Sequence, residues 1–180
     1  MPSGGIMEGN FKFGNLHGQG YTTHRDGSSY QGQFIDDKRH GQGVEKKLNG
    51  IEYTGEWKND LRNGFGVLTK PNGFKYEGQW KDDKGSGLGA VTYSSGEVYE
   101  GRLIDLVRNG QGHYLWPSGD SYKGQWKNSH MHGYGVYTHS DGTIEQGEWF
   151  ESDLVDDEKI KPKPSEHMAT FKDISESEDF

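Results

Sequence analysis

The chain has 180 residues, of which 29% are hydrophobic while 29 positions are glycine, so it lacks the apolar mass for a thick globular core. A formal net charge of −8 argues against nucleic acid as a partner, and the absence of cysteine excludes disulfide staples and thiolate metal sites. The apolar mass that exists is largely aromatic, with ten Tyr, eight Phe and five Trp, so flat rings must carry most of the burial.

Residues 1–6 are a leader without an apolar run between basic flanks, and no stretch approaches the roughly 18 apolar residues of a membrane helix. A soluble protein of the cytoplasm is expected. From residue 7 a Tyr-x-Gly-x-aromatic signature recurs. Met7-Gly9-Phe11 opens the series in degenerate form, and Tyr30-Gly32-Phe34, Tyr53-Gly55-Trp57, Tyr76-Gly78-Trp80, Tyr99-Gly101-Leu103 and Tyr122-Gly124-Trp126 follow at a constant interval of 23 residues. Glu145-Gly147-Trp149 closes it as a partial copy. Six full units, beginning at residues 7, 30, 53, 76, 99 and 122, and the partial one from 145 define a repeat array over residues 7–150. Units that touch only their neighbours build long faces, so function is sought on an extended surface.

Each unit reads in the same order. After the aromatic comes a polar stretch such as Ile35–His40, expected to be an outer loop, in which Gly14, Asp37, Asp60 and Asp83 share one phase and tolerance of turn geometry. A Gly-x-Gly pair follows: Gly18 and Gly20, Gly41 and Gly43, Gly64 and Gly66, Gly87 and Gly89, Gly110 and Gly112, Gly133 and Gly135. Then come Asp26-Gly27, Asn49-Gly50, Asn72-Gly73, Ser95-Gly96, Ser118-Gly119 and Asp141-Gly142, between runs rich in Val, Thr, Tyr and Ile, which is a hairpin signal. A two-residue turn would pair Trp57 with Gln42. A type I turn with a glycine bulge instead sets Gly43 opposite Gly55 and Gly41 opposite Trp57, gathering glycines and rings on one face, and this register is preferred. The structural glycines Gly32, Gly55, Gly78, Gly101 and Gly124, with the Gly-x-Gly pairs, then leave slots for rings from neighbouring strands. The fold class is all-β: an elongated, curved, single-layer antiparallel sheet of about 13 short strands, on the order of 60 Å long.

Residues 151–180 carry 4 Lys+Arg against 10 Asp+Glu and no glycine, whereas residues 1–150 carry 16 against 18. This composition marks an acidic tail, with a linker-like Lys161-Pro162-Lys163-Pro164, a short helix suggested by Met168, Phe171 and Ile174, and Ser175 and Ser177 in an acidic context suited to phosphorylation.

With Tyr53-Thr54-Gly55-Glu56-Trp57 and His40-Gly41-Gln42-Gly43-Val44 in view, the pattern over residues 7–150 closely resembles the MORN repeat family. The resemblance implies an elongated single-layer sheet that acts as a non-enzymatic scaffold, of the kind found in radial spoke heads and other axonemal or cytoskeletal assemblies, at membrane junctions, and beside lipid kinase or methyltransferase domains. Partners are then extended segments of axonemal or cytoskeletal proteins, and the location is a cilium or flagellum. The interior unit departs from the pattern at Leu103, Leu106 and Val107, which form a candidate contact patch.

No catalytic constellation, cofactor motif or metal-ligand spacing emerges. His17, His40 and His132 precede Gly-x-Gly at one phase, which makes them copies of a loop position. Gly18-Gln19-Gly20 and its copies lack the Lys-Ser/Thr and helix of a phosphate loop. Basic residues occur at most in pairs, Lys38-Arg39 and Lys46-Lys47, short of the four to eight that capture anionic lipid, so membrane lipid is a minor alternative. The ring-bearing face is the favoured protein-binding surface, with Tyr30, Phe34, Tyr53, Trp57, Tyr76, Trp80, Tyr99, Tyr122, Trp126 and Trp149 as anchors. The same rings also pack on one another as a thin core. Unpaired end strands admit strand addition by a partner or by a second copy in a homodimer.

Overall fold

The computed structural model describes residues 5–156. Tyr, Gly and Trp alternate with polar residues at the period of two required by a strand with one wet face. The signature segments are accordingly strands: β1 Met7–Lys12, β3 Ser29–Ile35, β5 Glu52–Lys58, β7 Lys75–Lys81, β9 Val98–Ile104, β11 Ser121–Lys127 and β13 Ile144–Phe150. Between them run β2 Asn15–Thr23, β4 Lys38–Lys46, β6 Leu61–Thr69, β8 Lys84–Thr92, β10 Val107–Leu115, β12 His130–Thr138 and β14 Asp153–Asp156. Every strand pairs antiparallel with the next in one 14-stranded sheet, and β1 and β14 are its two edges.

The Asx-Gly turns take the bulged form. The Gly27 N–H donates to the His24 carbonyl at 3.0 Å and the His24 N–H to the Ser28 carbonyl at 2.8 Å, with Gly27 at φ 77°. The geometry repeats through Gly142, whose N–H donates to the His139 carbonyl at 2.9 Å. As the bulge requires, Gly43 faces Gly55 and Gly41 faces Trp57.

The other end of each hairpin is tighter than expected. Only Asp36 and Asp37, at φ 48° and 66°, turn the chain, and Lys38, Arg39 and His40 already belong to β4. Both central residues are left-handed, which defines a type I′ turn, and Asp and Asn tolerate that region well. A polar run looks like a loop in a globular protein, but in a single-layer sheet one face of every strand is wet and polarity does not interrupt pairing. Two residues of the longer strand, Gly41 and Gln42, bulge out between the Gly32↔Gly43 and Gln33↔His40 pairs. A side chain from the facing strand stitches this bulge: Gln33 Oε1 accepts the Gln42 N–H at 3.2 Å, and Glu56 Oε1 accepts the Phe65 N–H at 2.8 Å.

The type I′ tips dock on the preceding hairpin. Asp60 Oδ1 accepts the Arg39 N–H at 2.9 Å while the Asp60 N–H donates to the Arg39 carbonyl at 3.0 Å, and Asp37 and Asp83 bond Leu16 and Arg62 in the same way. Short strands are thereby tied to both neighbours, which makes the array cooperative. β14 extends the sheet past residue 150, where the composition changes: Glu151 and Ser152 form a last left-handed turn and Leu154 pairs with Trp149. The compositional boundary marks the loss of glycine, not of strand structure. The helix expected around Met168 to Ile174 and the serines of the tail lie outside the described residues.

Candidate interaction surfaces

Tyr53, Gly55 and Trp57 project from one face of β5, and the equivalent triads of all odd strands share that face. Tyr30, Tyr53 and Tyr122 each meet two aromatic rings edge-on, while Tyr76 and Tyr99 meet one, Leu103 taking the place of the other. Tyr53 lies 5.1 Å from Trp57 at 90° and 5.2 Å from Trp80 at 84°, and Tyr30 lies 5.1 Å from Phe34 and 5.3 Å from Trp57, both at 86°. Edge-to-face pairs of this kind add about 0.5–1.5 kcal/mol each beyond the area they bury. Polar ring atoms are satisfied internally: the Tyr53 hydroxyl donates to the Glu56 carbonyl at 3.0 Å, and Trp57 Nε1–H to the Gly43 carbonyl at 3.3 Å.

The rings lie down on the sheet because the glycines beneath them have no side chain. A Cβ on Gly43 would overlap the Tyr30 hydroxyl, and one on Gly66 the Tyr53 hydroxyl. Burial pushes the Tyr30 and Tyr76 hydroxyls up to about 12 and raises those of Tyr53, Tyr99 and Tyr122 for the same reason.

A cation closes the stack. The Arg62 guanidinium sits 4.2 Å over the Trp80 ring, with Nε donating to Asp83 Oδ1 at 2.9 Å and Nη2 to the Asp83 carbonyl at 3.0 Å. Arg39 sits 4.1 Å over Trp57 and donates Nη2–H to the Asp60 carbonyl at 2.7 Å. Arg108 lies 4.6 Å from the centroids of both Trp126 and Tyr114. These arginines were not among the sequence-derived site residues. They recur at the phase of Leu16 and Met131, so their side chain is chosen by the ring it covers.

The structure places Tyr30, Phe34, Tyr53, Trp57, Tyr76, Trp80, Tyr99, Tyr122, Trp126 and Trp149 together in one continuous core, with 0–6% of their surface exposed. Their faces are taken up by one another, by glycine backbone and by arginine. The Leu103, Leu106 and Val107 patch is divided. Leu103 replaces a tryptophan in the core at 1% exposure, and Leu106 packs against the core over Gly85, where the other units carry an arginine or an aliphatic side chain. Val107 pairs with Ile104 on the opposite face, where both are exposed. His17, His40 and His132 are strand residues whose neighbours at the same phase reach the next turn, as Asn63 Nδ2 does to Asp82 Oδ1 at 3.2 Å. Among the described residues no group of His, Asp and Glu converges as a metal site.

Two surfaces remain open. On the ring-bearing face, a second aromatic strip flanks the core toward the Asx-Gly turns. Its centroids step from Phe74 to Tyr93 at 6.4 Å, Tyr93 to Tyr114 at 6.0 Å, Tyr114 to Trp116 at 4.5 Å and Trp116 to Tyr137 at 5.3 Å. Tyr114 is buried and the others are half-buried. The indoles of Trp57, Trp80, Trp126 and Trp149 donate to glycine carbonyls, whereas Trp116 has no such acceptor among the described residues. Carboxylates border this strip. Asp120 accepts the Ser118 hydroxyl at 2.8 Å and the Ser140 N–H at 2.7 Å, Glu145 bonds His139 Nε2 at 2.8 Å, and Glu97 accepts the Ser95 hydroxyl. The serine hydroxyls hold Asp120 and Glu97 below the usual carboxylate range. The strip has no periodic signature, because rings replace Leu68, Val91 and Lys70 at these phases only in the later units.

On the opposite face, a shallow open cleft is lined by Lys58, Leu61, Asn63, Phe65, Gln79 and Lys81. Register brings Lys38 and Lys58 onto β4 and β5, and Lys81 and Lys84 onto β7 and β8, on this face near the type I′ tips, with Leu61 of β6 between the two pairs.

A profile of the MORN repeat matches residues 8–29, 30–50, 53–75, 76–98, 99–121 and 122–144. No curated protein matches the sequence significantly. Among solved structures, the chain is similar to the TCP domain of SAS-4 from Drosophila melanogaster in complex with a proline-rich motif of Ana2, at 9% identity and a TM-score of 0.47, over 72% of this chain and 71% of that one. Six tandem matches spanning most of the sequence, on hairpins whose ring, glycine and turn positions all repeat, place this chain in the MORN repeat family.

Proposed function

We propose that the chain is a non-enzymatic scaffold of a ciliary axoneme or related microtubule assembly, holding extended segments of partner proteins on its ring-bearing face. The observation that carries this reading is the half-buried strip from Phe74 to Tyr137, since rigid amphipathic rings that keep exposed surface are the residue type that dominates protein interfaces. The buried Tyr and Trp ladder beside it serves as the rigid support. Family likeness supplies the axonemal setting. The test is fractionation of ciliated cells expressing the tagged full chain. Retention in demembranated axonemes, lost in the Trp116→Ser/Tyr137→Ser variant while Tm falls by only a few degrees, is the expected result. Full extraction by detergent sinks the reading.

The two lysine pairs on the opposite face favour a second reading, a scaffold linking cytoskeleton to phosphoinositide-containing membrane. Salt-sensitive flotation with anionic liposomes, abolished by Lys58→Glu/Lys81→Glu, is the outcome that reading requires.

A further inference from the structure

The aromatic strip ends, toward the C-terminal edge of the sheet, at rings bordered by acids: Asp120 and Glu145 lie beside Tyr137, and Asp141 follows in the next turn, where it accepts the Thr143 N–H. Aromatic faces together with carboxylates suit a segment of alternating prolines and cations, because proline rings stack flat on aromatics and ammonium groups are drawn both to ring faces and to carboxylates. The chain carries one such segment, Lys159-Ile160-Lys161-Pro162-Lys163-Pro164, starting three residues after the end of β14. We propose that this segment docks on the strip of its own chain, with the prolines against Tyr137 and Trp116 and the lysines toward Glu145, Asp141 and Asp120. The inference goes beyond the proposed function, since it makes the strip a self-covered site whatever partner uses it.

Reach and direction agree. β14 runs from the type I′ end toward the Asx-Gly end, and Asp156 pairs with Glu148, so the chain leaves the sheet heading for Glu145. β12 is two strands inward and β10 four, roughly 10 and 19 Å at 4.8 Å per strand. At about 3.1 Å per residue in the extended conformation that proline favours, Pro162 reaches about 19 Å from Asp156 and Pro164 about 25 Å. The remaining cations do not oppose the placement. Arg108 lies beneath the rings with Nη2 donating to the Ser129 carbonyl at 2.7 Å, and Lys70 sits at the far end, 4.6 Å over Phe74. His139 is engaged by Glu145. Docking here also covers the uncapped Trp116 indole, to which a backbone carbonyl of the segment can serve as acceptor.

The experiment is nitrogen-15 NMR of the full chain, whose five indole N–H groups report separately. Changing the segment to Lys161→Glu/Pro162→Ser/Lys163→Glu/Pro164→Ser leaves the sheet residues untouched. The expected result is a shift of the Trp116 indole resonance and of amides near Tyr137, with the other four indoles unmoved, and restoration on adding a synthetic peptide of residues 157–166. Carbodiimide cross-linking of an equal mixture of labelled and unlabelled wild-type chains should join Lys161 or Lys163 to Glu145, Asp141 or Asp120 within one chain. Unchanged indoles, or cross-links found equally between labelled and unlabelled chains, would overturn the proposal.

Discussion

Two kinds of glycine do different work in each unit, and substitution separates them. Gly43 has ordinary backbone geometry but no room, since a methyl there would collide with the Tyr30 ring. Gly73 has open space within 4 Å but a left-handed φ of 89°. Gly73→Ala should therefore cost about 1 kcal/mol, the strain of a left-handed L-residue. Gly43→Ala should cost about 3 kcal/mol or more, because the whole ring must lift and expose its partners. Urea denaturation of the two variants measures both, and equal losses would show that the ring does not rest on the glycine. The tyrosines give a second check. Their folded hydroxyls titrate above the unfolded value near 10, so the stability they contribute is complete below pH 10 and disappears as pH rises toward 12. Melting should be flat from pH 8 to 10 and collapse above it, with the tyrosinate absorbance appearing only as the sheet unfolds. Tyrosinate forming at pH 10 in the folded protein would place the rings in water. The ring and glycine positions were legible because they repeat. That the rings pack on one another was legible from composition; that arginines and neighbouring rings leave the ladder almost no free face was not, since the sequence pattern shows which residues share a face and not what covers it.

At the scale of the hairpin, Leu16 and Met131 stand where other units carry the arginine, and the unit at Tyr99 replaces the whole electrostatic clamp with an apolar one. Elsewhere Arg62 stacks on Trp80 and grips Asp83, but the equivalent trio is Gly85, Leu103 and Leu106, with Leu106 held at φ 62° so that its side chain fills the space over Gly85. A leucine in that region costs about 1–2 kcal/mol, offset here by its burial against the core. Gly85→Arg alone should destabilise, since its Cβ would overlap Leu106 Cδ2 and lie 2.8 Å from Tyr76 Cε1. Leu106→Asp alone should destabilise by opening a void. Combined with Leu103→Trp they rebuild the clamp, and the triple variant should recover at least about 1–2 kcal/mol relative to the sum of its parts. Additive losses would show that the two clamps are not alternatives. The hairpin's turns illustrate what sequence can carry. Asn49-Gly50 marks a turn by its chemistry, and the bulged register followed from the need to gather Gly41, Gly43, Gly55 and Trp57 on one face. Lys38 to His40 look like loop only because polarity is a loop signal where a core lies on both sides of a strand, and here there is none.

At the scale of the whole molecule, every contact described joins a unit to itself or to the next, so the sheet behaves as a linear chain of equivalent interfaces. Removing residues 76–98 brings Lys75 directly before Tyr99 in unchanged phase, and the sheet should close over the gap with two strands fewer. The shortened protein should remain cooperatively folded, with a urea m-value lower by about one sixth, because m follows the surface exposed on unfolding. Its longest dimension in X-ray scattering should fall by about 10 Å, two strand spacings. Removing the 11 residues 76–86 is a smaller deletion with a larger effect. It takes out half a unit, including Tyr76, Trp80 and the Asp83 turn that docks on Arg62, so β6 would be joined to β9 through one strand with Asx-Gly turns at both ends and the later units would run in the reverse sense, out of step with the ring ladder before them. That variant should lose its cooperative transition, while the longer deletion keeps it. If both deletions unfold alike, stability resides in some long-range contact and not in the neighbour-to-neighbour stack of Tyr, Trp and Arg.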